Sequence, residues 1–536
     1  MQIEGIIIRK IIVIVFAAVF LLPNAGFCQS EQELIKKGSE YLENGQYEQA
    51  LSEFNKAIAV NPNSFEAYWY RGDVYFSQED YEKALADYNR TIELNPQLPG
   101  PYRARAEVYY QLRRFKRAGD YYRQAVDLAL KDFNKEIELN PKSADAYYGR
   151  AKIYKIRNDY TQAFTDYGKA IELDPGFVEA YLERASAYSV KSDYEKALAD
   201  YTKALELSPQ YADGYRYRGR TYLKLGDNTK ALADFNKSIE LFPKSMDSYY
   251  GRGDLYYQLG DYPNAIADYT KAIEITPDFD STYINRGNAY SAQGDYPKAM
   301  ADYAKALEID PDSPYSISAH YGRAAIFYKQ ADYTSVIAEY SKVIEDDEYL
   351  PDTYLKRGEA YHAKADYASA IDDFSKAIKL DTKSGTGYVY RALTYYDKGD
   401  YANALIDYNK VIEFYPQSAE AYSYRGGTYE KLGDYPKALA DYSKAIELNP
   451  KSAREYGVRA AFYHHQKNFP KVIEDLNKML ELDPTSVPGY VLRAGAYYEV
   501  KDYDKAWADV HKIESLGRKI SSKFVEDLKK ASGRDK

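Results

Sequence analysis

Between residues 31 and 520, apolar and aromatic side chains recur at spacings of three and four rather than in strict alternation. That period puts them on one face of a helix, so the pattern predicts paired amphipathic helices and no strands. Turn signals separate the helices at regular intervals. Ser64, Ser143, Ser245, Ser418 and Ser452 each precede a first helix, where a hydroxyl suits an N-cap. Asp opens the second helix in eleven repeats, among them Asp80, Asp159 and Asp261, and complements the helix dipole. Pro263, Pro297 and Pro436 fall in the first turn after such an Asp, where a missing N–H is harmless.

The pattern is one unit copied fourteen times. A cation recurs at Lys37, Arg71, Arg105, Arg150, Arg184, Arg218, Arg252, Arg286, Arg323, Arg357, Arg391, Arg425, Arg459 and Arg493. The spacing is 34, with intervals of 45 after Arg105 and 37 after Arg286. Gly or Ala follows every cation, and Tyr stands four residues on, with Phe327 the one substitute. Ala recurs nine residues later, a second aromatic four after that, and Pro closes most units, as at Pro62, Pro96, Pro141 and Pro450.

In the second unit these positions are Tyr68, Arg71, Gly72, Tyr75, Ala84, Tyr88 and Pro96. The set resembles the tetratricopeptide repeat pattern W-x2-L-G-x2-Y…A-x3-F…P. The resemblance implies an all-α, right-handed superhelical solenoid of about fourteen helix-turn-helix units over residues 31–520. It also implies a protein-binding function through the concave groove. Residues 521–536 read as a capping helix and tail, with Phe524, Val525 and Leu528 covering the last unit. The third unit, 97–141, carries an excess of eleven residues, about three helical turns, so its second helix is expected to lengthen.

The main departure from the family pattern is Arg where it has Leu. Sixteen residues after each cation stands an acid, except in the third unit, which has Tyr121 there and resumes with Asp132. The expectation is a ladder of Arg71–Asp87, Arg184–Asp200, Arg218–Asp234, Arg252–Asp268, Arg286–Asp302, Arg357–Asp373 and Arg425–Asp441 pairs. Each acid is placed to reach the cation of its own unit or of the next. A partly buried guanidinium needs such a partner.

Composition sharpens the picture. The chain has 536 residues, a formal charge of −9, and 62 Tyr against 19 Phe and 2 Trp. The acidic balance argues against a nucleic-acid partner. The single cysteine, Cys28, lies before the repeats, so the repeat region holds no disulfide or thiolate site. None of His320, His362, His464, His465 and His511 forms a metal motif, and no phosphate-cradling loop appears, so no catalysis, metal or cofactor is expected.

The N-terminus has the three-part layout of a secretory signal: Arg9 and Lys10, an apolar run from Ile11 to Leu22, then small residues. Cleavage near Cys28 is expected to leave an extracytoplasmic protein without a membrane span, able to join an envelope complex. Retention as an anchor and acylation of Cys28 are the alternatives.

Since the motif residues are committed to packing, ligand contacts fall to the variable side of the first helices. By helical spacing this groove holds Trp69, Tyr70, Asp73, Tyr110, Tyr148, Arg216, Tyr217, Arg220, Tyr250, Tyr257, Tyr328, Tyr390 and Tyr424, with a basic stretch over 148–224. Tyr offers contact area at low entropy cost. The expected partner is a protein or peptide, and carbohydrate binding or polysaccharide export is the alternative. The Arg71-Gly72-Asp73 tripeptide, repeated at Arg252, is a by-product of the repeat rather than an adhesion motif, leaving Asp73 to touch a ligand.

Overall fold

The computed structural model describes residues 30–112 and 120–534. The expected signal segment, Cys28 and the last two residues lie outside them. Among the described residues there are 29 helices and no strands. The repeats divide into two compact units, one ending at Pro277 and the other beginning at Asp278.

Each repeat is a helical hairpin. In the second, Phe65–Ser77 is followed by Tyr81–Leu94. Ser64 accepts from the Ala67 N–H and Asp80 from the Lys83 N–H, so both helices start on a side-chain cap. The Asp cap recurs through Asp502, with Asn468 serving once. Ser452 is a correction: it precedes its helix without a side-chain cap bond.

Between the two helices of each hairpin one residue takes positive φ, eight after the cation. It is Gly at 45, 226, 260, 294, 399 and 433, but Glu79, Asn158, Ser192, Ala331, Ala365, Lys467 and Lys501 in the other described turns. The Gly or Ala after the cation faces the second aromatic. A Cβ on Gly72 would stand 2.7 Å from the Tyr88 ring and one on Gly358 2.7 Å from Phe374, so the hairpin closes almost on backbone.

Among the described residues the lengthened repeat has a second helix, Asp120–Leu139, of 20 residues against the usual 14. The core register jumps to the second copy of the duplicated segment. Ala129 and Phe133 are buried where Ala84 and Tyr88 stand in the preceding repeat, and Arg105 meets Asp132. The side chain of Tyr121 lies outside the described residues.

At the C-terminus the helix Ser522–Ser532 covers the last hairpin. Leu528 is buried, Phe524 and Val525 pack beside it, and the Trp507 indole N–H donates to Ser532.

Candidate binding face

The repeated arginine is bound on three sides. In Arg71–Asp87, Arg184–Asp200, Arg218–Asp234, Arg252–Asp268, Arg286–Asp302, Arg357–Asp373 and Arg425–Asp441, Nε and one Nη donate to the two carboxylate oxygens at 2.7–2.9 Å. The acid is that of the same repeat. Glu53 does not reach Arg71; it sits 3.6 Å from Lys37 and 2.7 Å from Lys56. In most repeats the other Nη donates to a small polar side chain 16 residues earlier, in the preceding repeat: Asn55 for Arg71, Asn236 for Arg252, Ser341 for Arg357 and Asn409 for Arg425, whereas Arg184 has Gly168 there.

Tyr rings lie over the guanidinium, with Tyr68 and Tyr75 centred 5.3 and 6.0 Å from the Arg71 carbon. A planar, permanently charged fork suits this slot as no aliphatic side chain or ammonium does. Burial pushes the carboxyls of Asp132 and Asp373 up, against the hold of their arginines. The third partner, overlooked in the sequence, had a readable signal: Asn, Ser or Thr recurs two residues after the acid.

The exposed sides of the second helices carry Lys–Glu pairs three apart, among them Lys203–Glu206, Lys237–Glu240 and Lys444–Glu447. Variation is therefore concentrated on the first helices, and there the residues expected in the groove separate into three groups.

One group packs repeat on repeat. Tyr70, Tyr217, Tyr390 and Tyr424 lie against the core rings Phe54, Tyr201, Phe374 and Tyr408 of the preceding repeats, with centroids 5.6–6.0 Å apart. Trp69 stacks on Tyr70 and covers Gly100, whose Cβ would come within 2.5 Å of the indole. Tyr148 meets Phe177 at 4.8 Å, and within its own hairpin Tyr250 meets Tyr269 edge-on at 6.0 Å. These half-buried rings serve inter-helix packing.

A second group is neutralised, which corrects the expected basic stretch. Lys152 lies over the rings of Tyr110 and Tyr148 at 4.2 and 5.0 Å and 3.5 Å from Glu107. Lys155 pairs with Glu183 at 2.8 Å. Arg216 is only 7% exposed, held by Asp213 at 2.8 Å and Asp247 at 3.6 Å. Charges that look unopposed along the chain meet their partners across repeats. Asp73 belongs here too. It accepts from the hydroxyl of the buried Tyr88 at 2.7 Å, as Asp254 does from Tyr269 and Asn288 from Tyr303. Burial pushes the Asp73 carboxyl up to about 7.

The third group is open: Arg220, Tyr257 and Tyr328 are exposed. Tyr257 and Tyr328 occupy the same repeat position, five after the arginine, and each meets an aromatic five residues further on. Tyr257 faces Tyr262 at 5.7 Å, Tyr328 faces Tyr333 at 5.4 Å, and Tyr396 faces Tyr401 at 5.4 Å. Sequence spacing found Tyr257 and Tyr328 and missed the second ring of each pair, because the turn between the helices folds them together.

Tetratricopeptide repeat models match residues 35–99, 102–142, 144–313, 351–384 and 392–452. The chain belongs to the tetratricopeptide repeat family. Members bind protein partners and are generally non-catalytic scaffolds. No curated protein matches the chain. Among solved structures, a tetratricopeptide repeat protein from Parabacteroides merdae is 22% identical, covering 49% of this chain and 99% of that one, with a TM-score of 0.39. The C-terminal part of a TPR repeat-containing protein from Cytophaga hutchinsonii is 22% identical over 46% of this chain and 98% of its own, with a TM-score of 0.41. Yeast Tom70 is 18% identical over 81% and 96%, with a TM-score of 0.37.

Among the described residues of this tetratricopeptide repeat chain, no group of three or more side chains is set to hold a metal ion. No described helix is long and apolar enough to cross a membrane.

Proposed function

We propose that the chain is an exported, non-catalytic scaffold that binds protein partners through the open positions of its first helices. The observation that carries this reading is the division of labour within the repeat. The Arg–Asp pairs, the core aromatics and the paired Lys–Glu surface recur unit after unit, which suits scaffolding. The exposed first-helix positions differ from repeat to repeat, as a surface that recognises a partner must. The signal-like N-terminus supports export, and a place in an envelope complex follows from it.

Site-specific photo-crosslinking in the native host tests the face. A crosslinker at Tyr257 should capture a defined protein, whereas one at Lys237, on the exposed side of a second helix, should not. Equal yields of the same adduct from both positions would remove the face. N-terminal sequencing of the mature protein tests export: a start near residue 29 supports it, and an intact Met1 overturns cleavage.

A further inference from the structure

The aromatic pairs at the hairpin turns are surplus to the fold. At the position of Tyr328 other repeats carry Lys155, Ser189, Leu223, Ser291 or Glu430, and their hairpins are built alike. Packing therefore does not demand a ring there. Yet three consecutive repeats of the second compact unit carry one, each set edge-on or tilted against the first residue of the following helix. They are Tyr328 with Tyr333, His362 with Tyr367 at 5.6 Å, and Tyr396 with Tyr401. Tyr328 is 45% exposed, and the His362 side chain 34%. Partly exposed rings at one register of successive hairpins form rungs about 10 Å apart, the spacing of packed helices.

Carboxylates accompany the rungs, and their partners are not lysine or arginine. Burial and, after it, the nearby Glu359 carboxylate push the Tyr390 phenol up, and Asp397 lies 3.0 Å from His362 Nε2. Just beyond them, Glu430 accepts from Tyr442 at 2.8 Å and lies 2.8 Å from His465 Nδ1. The strip thus combines aromatic rungs with anionic charge that no Lys or Arg cancels, unlike the neutralised Lys152–Glu107 region of the first unit.

We propose that the strip over residues 328–401 binds a proline-rich, basic segment of a partner protein in the polyproline II conformation. That helix advances about 9 Å per three-residue turn, which matches one turn to one rung. Its pyrrolidine faces pack on aromatic rings, the mode by which aromatic-lined grooves take proline-rich ligands without a large ordering cost. Arginine or lysine beside the prolines meets Glu359 and Asp397. The inference rests on the protein-binding reading and names the class of segment recognised.

The test is calorimetric titration of the mature chain with three probes: a decaproline flanked by arginines, a Gly/Ser peptide with the same flanks, and cellohexaose. The first should bind, and the Gly/Ser peptide about tenfold more weakly. Replacing two rungs together, Tyr328→Ser with Tyr396→Ser, should weaken the decaproline about tenfold, since two ring contacts are lost. Serine is native at this position in two other repeats, so thermal unfolding of the variant should match the parent. Equal binding of both peptides, or no loss in the double variant, overturns the proposal. So does cellohexaose binding that disappears in the variant while the peptide remains unbound, since the strip would then serve a glycan. If the Tyr257 crosslinker captures a partner protein and decaproline does not bind, this inference fails while the scaffold reading stands.

Discussion

Arg252 grips Asp268 through two parallel bonds, Nε to Oδ2 at 2.7 Å and Nη2 to Oδ1 at 2.8 Å, with the acid nearly buried and the guanidinium one-fifth exposed. Removing one partner strands a charge, whereas removing both does not. Asp268→Ala should therefore cost about 3–5 kcal/mol, and adding Arg252→Leu should recover part of that loss. The double change also restores the family's leucine. A double-mutant cycle by urea unfolding measures the coupling; additive costs would show that the pair is not coupled.

Repeat nine breaks the ladder chemically. Its acid is Glu339, and His320 replaces the Tyr found three residues before all the other repeated arginines. His320 Nδ1 lies 2.7 Å from Glu339 Oε2, Arg323 keeps one bond at 3.0 Å, and its Nε is buried without a partner. Writing the common pattern back, His320→Tyr with Glu339→Asp, should stabilise the protein by about 1–2 kcal/mol, because a buried donor regains its acceptor. A raised unfolding midpoint checks it; an unchanged one would show that the present arrangement satisfies Arg323 as well.

Glu136 stands in the lengthened repeat at the core position where Thr91 and Ala170 stand in its neighbours. It accepts from Ser143 Oγ at 2.8 Å, its second oxygen has no partner, and burial pushes its carboxyl up to about 7, against the nearby Arg103. A carboxyl whose folded pKa exceeds its unfolded value binds its proton more tightly when folded. Stability from it is present below about pH 4 and is lost as pH rises to about 7. Glu136→Gln should raise stability at pH 8 by on the order of 2 kcal/mol and change little at pH 4. Denaturation at both values reads the difference.

Turns with positive φ at non-glycine residues carry local strain. Ala365, at φ 60°, should gain about 0.5 kcal/mol as Ala365→Gly, the relief of left-handed backbone offset by glycine's entropy. Gly294→Ala, at φ 89°, should lose about 1 kcal/mol. Opposite shifts in unfolding midpoint are the expected result; shifts of one sign would exclude backbone strain as the cause.

Much of this protein was legible without coordinates because its rules are local or periodic. Helix caps such as Asp80 act within four residues, and a 34-residue period exposes every position that packing reuses, including the Arg71 and Asp87 sites. The candidate face was less legible. Tyr217 and Tyr424 share the groove-facing spacing of Tyr257, yet they close the joints between repeats, while Lys152, Lys155 and Arg216 lose their apparent basicity to acids up to 45 residues away.

The sequence by itself determined the helical hairpin, its count, its caps and the identity of the ladder residues, because these depend on spacing along the chain. Only the tertiary structure decided which acid each arginine takes, that Asn55 or Ser341 of the preceding repeat completes its bonds, and which tyrosines stay open. Those outcomes depend on distances between helices, and a side chain is available to a partner only where the neighbouring repeat leaves it uncovered.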